Sequence, residues 1–277
     1  MRLQREACPF PCLHRHAVCS EDGMTPDRPS LRIGTAGWGI PRALASAFPG
    51  GGQHLERYSR VLSCVEINTT FSRVHRVDTF ERWARQTPTD FRFSVKLPKV
   101  FTHVARLETP AKDLLAFVSS LAGLGERLDV LLVQLPPSLV LDVAVARAFF
   151  RALRAGFCGA IVCEPRHPSW FTGRAESFLV RERIGRVAAD PSKPTGAGQP
   201  GGWLGERGDG QGAVVYHRWH GSPRMYWSAY GEAWITARAA ELARWPAGTE
   251  AWCIFDNTAA GAAADDALRL KRSCGAP

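Results

Sequence analysis

An α/β architecture, a single (β/α)8 barrel of the TIM type, is the fold class this sequence predicts, on three observations. From Leu31 onward, short apolar runs rich in β-branched and aromatic residues alternate with longer segments of helical period, the signature of parallel strands joined by crossover helices. About eight such units fit into roughly 245 residues, the length of a barrel that closes on itself. No GxxxxGK motif occurs, and no GxGxxG opens a helix directly after a strand, the context that would favour a doubly wound open sheet; the match Gly196-Ala197-Gly198-Gln199-Pro200-Gly201 lies in a Pro/Gly-rich stretch without helical period, and Gly34-Thr35-Ala36-Gly37-Trp38-Gly39 is spaced for neither.

The elements follow in order. Leu31 to Gly37 reads as the first strand, with a helix near His54 to Leu62 after a Gly/Pro loop. Cys64 to Phe71 is the second strand, and Asp78 is the expected N-cap of a helix to Arg85. Phe91 to Leu97 is the third, followed by a long helix from Ala111 to Leu124. Val130 to Leu135 is the fourth, after which Asp142 caps a helix running to Arg154. Ala160 to Glu164 is the fifth, with a helix near Ala175 to Arg183; Arg186 to Asp190 is a short sixth. Residues 191 to 212 are rich in Pro and Gly and lack helical period, so an irregular loop is expected in place of the sixth helix. Ala213 to Trp219, a helix from Glu232 to Trp245, Ala251 to Phe255 and a helix from Ala259 to Arg272 complete the pattern.

Residues 1 to 30 carry no apolar period and four prolines at positions 9, 11, 26 and 29, and read as a disordered extension ahead of a barrel domain over residues 31 to 277. Met24 is an alternative start. Cys8, Cys12 and Cys19 with His14 and His16 have metal-ligand residue types but no zinc spacing, and their role is left open; Cys64, Cys158, Cys163 and Cys253 read as buried thiols. No apolar stretch approaches the ~18 residues of a membrane span, so a soluble, cytoplasmic chain without a membrane partner is expected. The formal charge of +9 invites a nucleic-acid partner, but the cations are 30 Arg against 5 Lys, scattered over the helices, and a solvated surface is the expectation. Nothing in the sequence sets the oligomeric state.

In a barrel the informative residues are polar side chains at the C-terminal ends of apolar strands. Glu66 and Asn68 lie two apart in Cys-Val-Glu-Ile-Asn and so share a face, opposite Val65 and Ile67. The same alternation turns Lys96 and Gln134 inward. Glu164, Arg166 and His167 close the fifth strand, Asp190 the sixth, Arg218 and His220 the seventh, and Asn257 the eighth. Each alone could be a structural ion pair or a satisfied core amide. A polar residue recurring at the same end of seven predicted strands is better explained by a pocket, because an ion buried alone costs several kcal/mol.

Several blocks in the right order resemble the YecE-like family, a domain of unknown function, over about Leu31 to Arg272. They are Gly34-Thr35-Ala36-Gly37-Trp38, Val65-Glu66-Ile67-Asn68-Thr69-Thr70-Phe71, Phe91-Arg92-Phe93-Ser94-Val95-Lys96, Phe101-Thr102-His103, Gln134-Leu135-Pro136-Pro137, Glu164-Pro165-Arg166-His167-Pro168-Ser169-Trp170, Arg218-Trp219-His220-Gly221 and Phe255-Asp256-Asn257. The resemblance implies a TIM-type barrel related in shape to sugar isomerases and abasic-site endonucleases, with no established activity. The chain departs from the family's pattern at Ser72, where Tyr is common, and at Asp256, where Asn is frequent.

Two function classes compete. The first is an acid/base enzyme, a hydrolase, lyase or isomerase on a small anionic or phosphorylated, sugar-like substrate. In it Glu66, Lys96, Glu164, His167, Asp190 and His220 are the catalytic candidates, and Trp38, Asn68, His103, Gln134, Arg166, Arg218 and Asn257 the substrate-binding ones. No cofactor is required. A divalent metal on Glu66, Glu164, His167, Asp190 and His220 is an open variant that the neighbouring Lys and Arg oppose. The second class is a nucleic-acid-binding or repair-type protein, with loop Arg on phosphates and Trp38, Trp170 or Trp227 stacking on a base. A non-catalytic metabolite sensor would use the same pocket. Under the enzyme reading, Glu164→Gln and Lys96→Met are both expected to abolish ligand binding while sparing stability.

Overall fold

The structure, a computed structural model, describes residues 28–206 and 212–275. The expected N-terminal extension and its Cys/His cluster lie outside the described residues apart from the last three positions, where Ser30 already pairs with Glu250.

Ten strands of the described residues form one sheet. They are β1 (Ser30–Ala36), β2 (Cys64–Ile67), β3 (Arg92–Lys96), β4 (Leu128–Gln134), β5 (Ala160–Glu164), β6 (Gly185–Arg186), β7 (Ala188–Asp190), β8 (Gly201–Gly202), β9 (Val214–Trp219) and β10 (Glu250–Phe255). The order across the sheet is β7-β9-β10-β1-β2-β3-β4-β5-β6-β8, with every neighbouring pair parallel except β6 and β8. β6 pairs with β5 and β7 with β9, and only Val187 separates β6 from β7. The predicted sixth strand is therefore split, and its two halves join the ends of the sheet into an eight-stranded parallel barrel.

Among the described residues seven α-helices surround it: α1 (His54–Ser59), α2 (Val77–Arg85), α3 (Ala111–Ser120), α4 (Val143–Gly156), α5 (Gly173–Arg181), α6 (Glu232–Leu242) and α7 (Ala262–Ser273). Asp142 caps α4 as expected, its Oδ1 accepting from the backbone N–H groups of Ala144 at 2.8 Å and Val145 at 3.1 Å, an arrangement worth about 1 kcal/mol. Asp78 does not cap α2. The cap position is Arg76, and Asp78 lies within the first turn, 3.2 Å from the Arg76 guanidinium in an exposed pair. The helix expected to reach Leu124 leaves α-geometry after Ser120 and continues as a 3-10 segment, Leu121–Arg127. There Gly123 packs so tightly against α2 that a Cβ would stand 2.4 Å from the Val77 carbonyl. The described part of the loop after β7 contains no helix, only β8, which adds antiparallel to β6. Cys158, expected as a buried thiol, is half-buried and disulfide-bonded; Cys64, Cys163 and Cys253 are buried and free.

Strand alternation sorts the core into two layers. Ala36, Cys64, Val130, Leu132, Ala160, Val162, Val187, Val214, Tyr216, Trp252 and Ile254 fill the inside of the barrel, while a larger cluster, among it Val65, Ile67, Val95, Val133 and Phe255, packs under the helices. Trp252 and Tyr216 stack at 5.7 Å and plug the lower barrel, so polar side chains on the same faces are held at the upper, C-terminal mouth. Among the described residues no helix is long and apolar enough to cross a membrane.

Candidate functional site

Continuing each interior row upward from the apolar plug gives the site. Cys64 on β2 is followed two residues on by Glu66, Ser94 on β3 by Lys96, Leu132 by Gln134, Val162 by Glu164, Tyr216 by Arg218 and then His220, and Ile254 by Asp256. All of these polar residues are buried.

Arg218 is the hub. Its Nε and Nη2 donate to the two oxygens of Glu66 at 2.9 and 2.8 Å, Nη1 donates to Glu164 Oε2 at 2.5 Å, and Nη2 also donates to Asp256 Oδ2 at 2.9 Å. The fork geometry of a guanidinium suits it to bridge three strand ends in this way. Glu66 Oε2 accepts a further bond from the Tyr216 hydroxyl at 3.0 Å, which itself lies 2.7 Å from Ser94 Oγ. Arg218 is thus committed to carboxylates and does not present a free guanidinium to an anion.

His220 bridges two of the same acids. Its Nδ1 is 3.0 Å from Asp256 Oδ2 and its Nε2 is 3.2 Å from Glu164 Oε1. Burial alone would lower the imidazole's pKa, but Glu164 and Asp256 outweigh it and raise the value above 6.5, which favours the imidazolium. Burial likewise pushes the two carboxyls up, and the cations around them win: Arg218, His220 and Arg166 hold Glu164 well below the usual range, and Arg218, His220 and Lys96 lower Asp256. Arg166 donates to Glu164 Oε1 from Nε at 3.1 Å and Nη2 at 2.9 Å, and contacts the Tyr226 hydroxyl at 3.4 Å.

Lys96 differs from these groups. Its Nζ lies 4.2 Å from the centre of the Phe71 ring, and among the described residues no carboxylate comes within 4 Å of it. Burial, and then Arg218, lower its pKa to about 8. His103 stands edge-on to the same Phe71 ring at 5.0 Å, with its own pKa lowered by burial, Lys96 and Arg166.

Of the thirteen candidate residues read from the sequence, the structure brings Glu66, Lys96, Glu164, Arg166, Arg218 and His220 together, with His103 beside them; Gln134 ends β4 next to Glu164 in register. Five stand apart. Asp190 turns its carboxylate to the Tyr230 hydroxyl at 2.8 Å and lines a separate cavity of about 260 Å³ with His217 and Arg238, outside the barrel where a sixth helix would lie. His167 caps the 3-10 turn Pro168–Phe171, with Nδ1 accepting from the Ser169 backbone at 3.2 Å. Asn257 donates to Asp266 Oδ2 at 2.7 Å and the Ser228 carbonyl at 2.9 Å, tying α7 to the loop after β9. Trp38 packs edge-on against Trp83 at 4.9 Å, and Trp170, a stacking candidate, is fully buried with its indole N–H on the Leu139 carbonyl. Asn68 sits at the turn after β2 with its side-chain oxygen buried and unpaired.

Asp256, Tyr216, Phe71 and Tyr226 complete the site and were not among the candidates. Tyr216 carries the period-2 signal, two residues before Arg218. Asp256 carries it too, two residues after inward-facing Ile254; Asn257, one residue further, takes the opposite face of the strand end.

The divalent-metal variant does not fit this donor set. The oxygens of Glu66, Glu164 and Asp256 face Arg218, and among the described residues no group of three His, Cys, Asp or Glu side chains is arranged to hold a metal ion.

The model of a family described as "Protein of unknown function DUF72" matches residues 32–277. The UPF0759 protein YecE of Escherichia coli K12 is 30% identical over 176 residues, 61% of this chain, and the chain spans 62% of the length of that relative. Among solved structures, a DUF72 family protein of Enterococcus faecalis V583 superimposes with a TM-score of 0.73 at 18% identity, over 89% of this chain and 96% of the other. A DUF72 family protein of Thermotoga maritima MSB8 does so with a TM-score of 0.67 at 24% identity, over 88% and 98%. At these identities the likeness concerns the fold.

Proposed function

Because this chain belongs to the DUF72 family, whose description names no activity, its chemistry has to be read from the site, and we propose an acid/base enzyme acting on a small anionic or phosphorylated, sugar-like substrate at the C-terminal ends of the strands. The reaction class is hydrolysis, elimination or isomerisation. One observation carries the reading: His220 is buried between Glu164 and Asp256 and charged more readily than a free imidazole, which makes it a held proton source beside carboxylates that stay ionised. Arg166 and the protonated form of Lys96 supply the positive side that an anionic substrate requires.

The test is a panel of phosphorylated aldoses and ketoses, read by thermal shift and by turnover. The expected result is binding by at least one member and a kcat about 10²-fold or more lower in His220→Gln, with KM little changed. A panel that neither binds nor turns over sinks the reading. Binding without turnover would favour a metabolite sensor.

A second reading, a nucleic-acid-binding or repair-type protein, is favoured by one observation. Arg224 lies 4.3 Å over the ring of Trp227, which is 46% exposed and follows Tyr226 in the loop after β9. Retention of a single-stranded oligonucleotide that weakens steeply between low and moderate salt, and is lost in Trp227→Ala, is the expected sign; retention at neither salt removes this reading.

A further inference from the structure

We propose that Lys96 is a carbonyl-capturing nucleophile, whose Nζ condenses with the aldehyde or ketone group of a small polyhydroxylated or acidic carbonyl compound to form an imine in the barrel mouth. The proposal rests on the acid/base reading of the same site and adds a covalent step to it.

A lysine facing three carboxylates is ordinarily a salt-bridging cation. Here those carboxylates are already engaged: Glu66, Glu164 and Asp256 all accept from Arg218, and Glu164 and Asp256 also hold His220. Lys96 is left against the face of Phe71, and among the described residues no hydrogen bond or ion pair fixes its ammonium form. Its backbone, by contrast, is held. The carbonyl accepts from Thr70 Oγ1 at 2.6 Å, and the residue is the last of β3. The result is an amine on a rigid strand end, 7% exposed, beside another cation and without a counter-ion of its own. Desolvation and a neighbouring cation are the two devices that keep a lysine amine neutral and nucleophilic near neutral pH, and its lowered pKa is in keeping with both. The groups that face it from the surrounding elements are Glu66 on β2, Glu164 on β5, Arg218 on β9, Asp256 after β10 and His103 in the turn after β3.

The step balances without an oxidant or reductant. The Lys96 lone pair attacks the carbonyl carbon and a C–N bond forms, while the carbonyl oxygen takes a proton from the His220 imidazolium. The nitrogen returns a proton to His220, which passes it to the hydroxyl; the C–O bond breaks, water leaves and the C=N bond forms. One carbonyl compound, one amine and one proton give one iminium ion and one water, and the iminium then draws electrons from the adjacent C–H or C–C bond, the driving force for isomerisation or carbon–carbon cleavage.

The full chain is incubated with formaldehyde, glyoxylate or dihydroxyacetone phosphate in the presence of cyanoborohydride, which adds hydride to the iminium carbon, and modified lysines are located by peptide mass mapping. The chain has five lysines, of which Lys99, Lys112 and Lys193 are exposed and serve as internal references. The expected result is modification of Lys96 at pH 7 at least about tenfold faster than of the references, with loss of that adduct in Lys96→Met. Equal or slower modification of Lys96, while formaldehyde methylates the references, overturns the proposal; formaldehyde is small enough that access is not the limit. If phosphorylated sugars bind and turn over with Lys96 unlabelled, imine formation fails and the acid/base reading stands. If Lys96 is labelled selectively but no phosphorylated sugar binds, carbonyl capture stands and the anionic-sugar reading fails.

Discussion

Arg218 meets Glu66 side by side in the barrel mouth, Nε 2.9 Å from one carboxylate oxygen and Nη2 2.8 Å from the other, with both side chains wholly buried. Such a pair contributes little relative to well-packed apolar residues, but removing one member leaves a buried charge uncompensated. Glu66→Gln is expected to lose about 3–5 kcal/mol in denaturant unfolding at neutral pH. Glu164→Gln is expected to lose a comparable amount. For Glu164 this departs from the sequence-based expectation of spared stability, because its carboxylate serves Arg218, Arg166 and His220 at once.

Lys96→Met should behave in the opposite way. With a folded-state pKa of about 8 against an ordinary 10.5, the folded chain releases this proton before the unfolded chain does, so the unfolded state binds more protons between these values and stability rises with pH there. The gain amounts to roughly 3 kcal/mol across the window. Unfolding titrations from pH 7 to 10.5 should show that rise in the wild type and its absence in Lys96→Met, which should be at least as stable as the wild type at pH 7.

His220 and His217 should titrate in opposite directions although three residues apart. His220, inside the barrel, is raised above 6.5 by Glu164 and Asp256; its contribution to stability is complete below pH 6.5 and fades as pH climbs through the higher folded value. His217 faces outward toward Arg238, with Nε2 buried and unpaired, and burial together with Arg238 lowers it to about 4. The wild type should therefore lose roughly 3 kcal/mol as pH falls from 6.5 to 4, and His217→Leu should not. Imidazole proton shifts followed by NMR give both midpoints; a shared midpoint near 6.5 would contradict the two environments.

The glycines of the opening motif separate in the same way. A Cβ on Gly34 would stand 2.1 Å from the Cys64 carbonyl oxygen on the neighbouring strand β2, so Gly34→Ala is expected to cost about 3 kcal/mol or more, because backbone must move. Gly37 has φ of +82° and open space around the missing Cβ, and Gly37→Ala should cost only the left-handed strain, about 1–2 kcal/mol. Thermal unfolding of the two variants checks the ranking.

The sequence by itself determined the strand and helix alternation, the barrel, the Gly/Pro-rich break after the sixth strand, and the inward set Glu66, Lys96, Gln134, Glu164, Arg218 and His220. These are legible because a period of two or 3.6 and a Gly/Pro-rich break are local properties of the chain. Only the tertiary structure decided which inward groups pair. That Arg218 takes all three acids and leaves Lys96, among the described residues, without an ion-pair partner depends on strands far apart in sequence meeting at one mouth. It also decided that Asp256 rather than Asn257 faces the site, and that Asp190 and His167 serve a loop and a turn, since a strand's last residue faces inward or outward according to where the ladder ends. Ion pairing at 3 Å is a property of distance in space, and no sequence period encodes it.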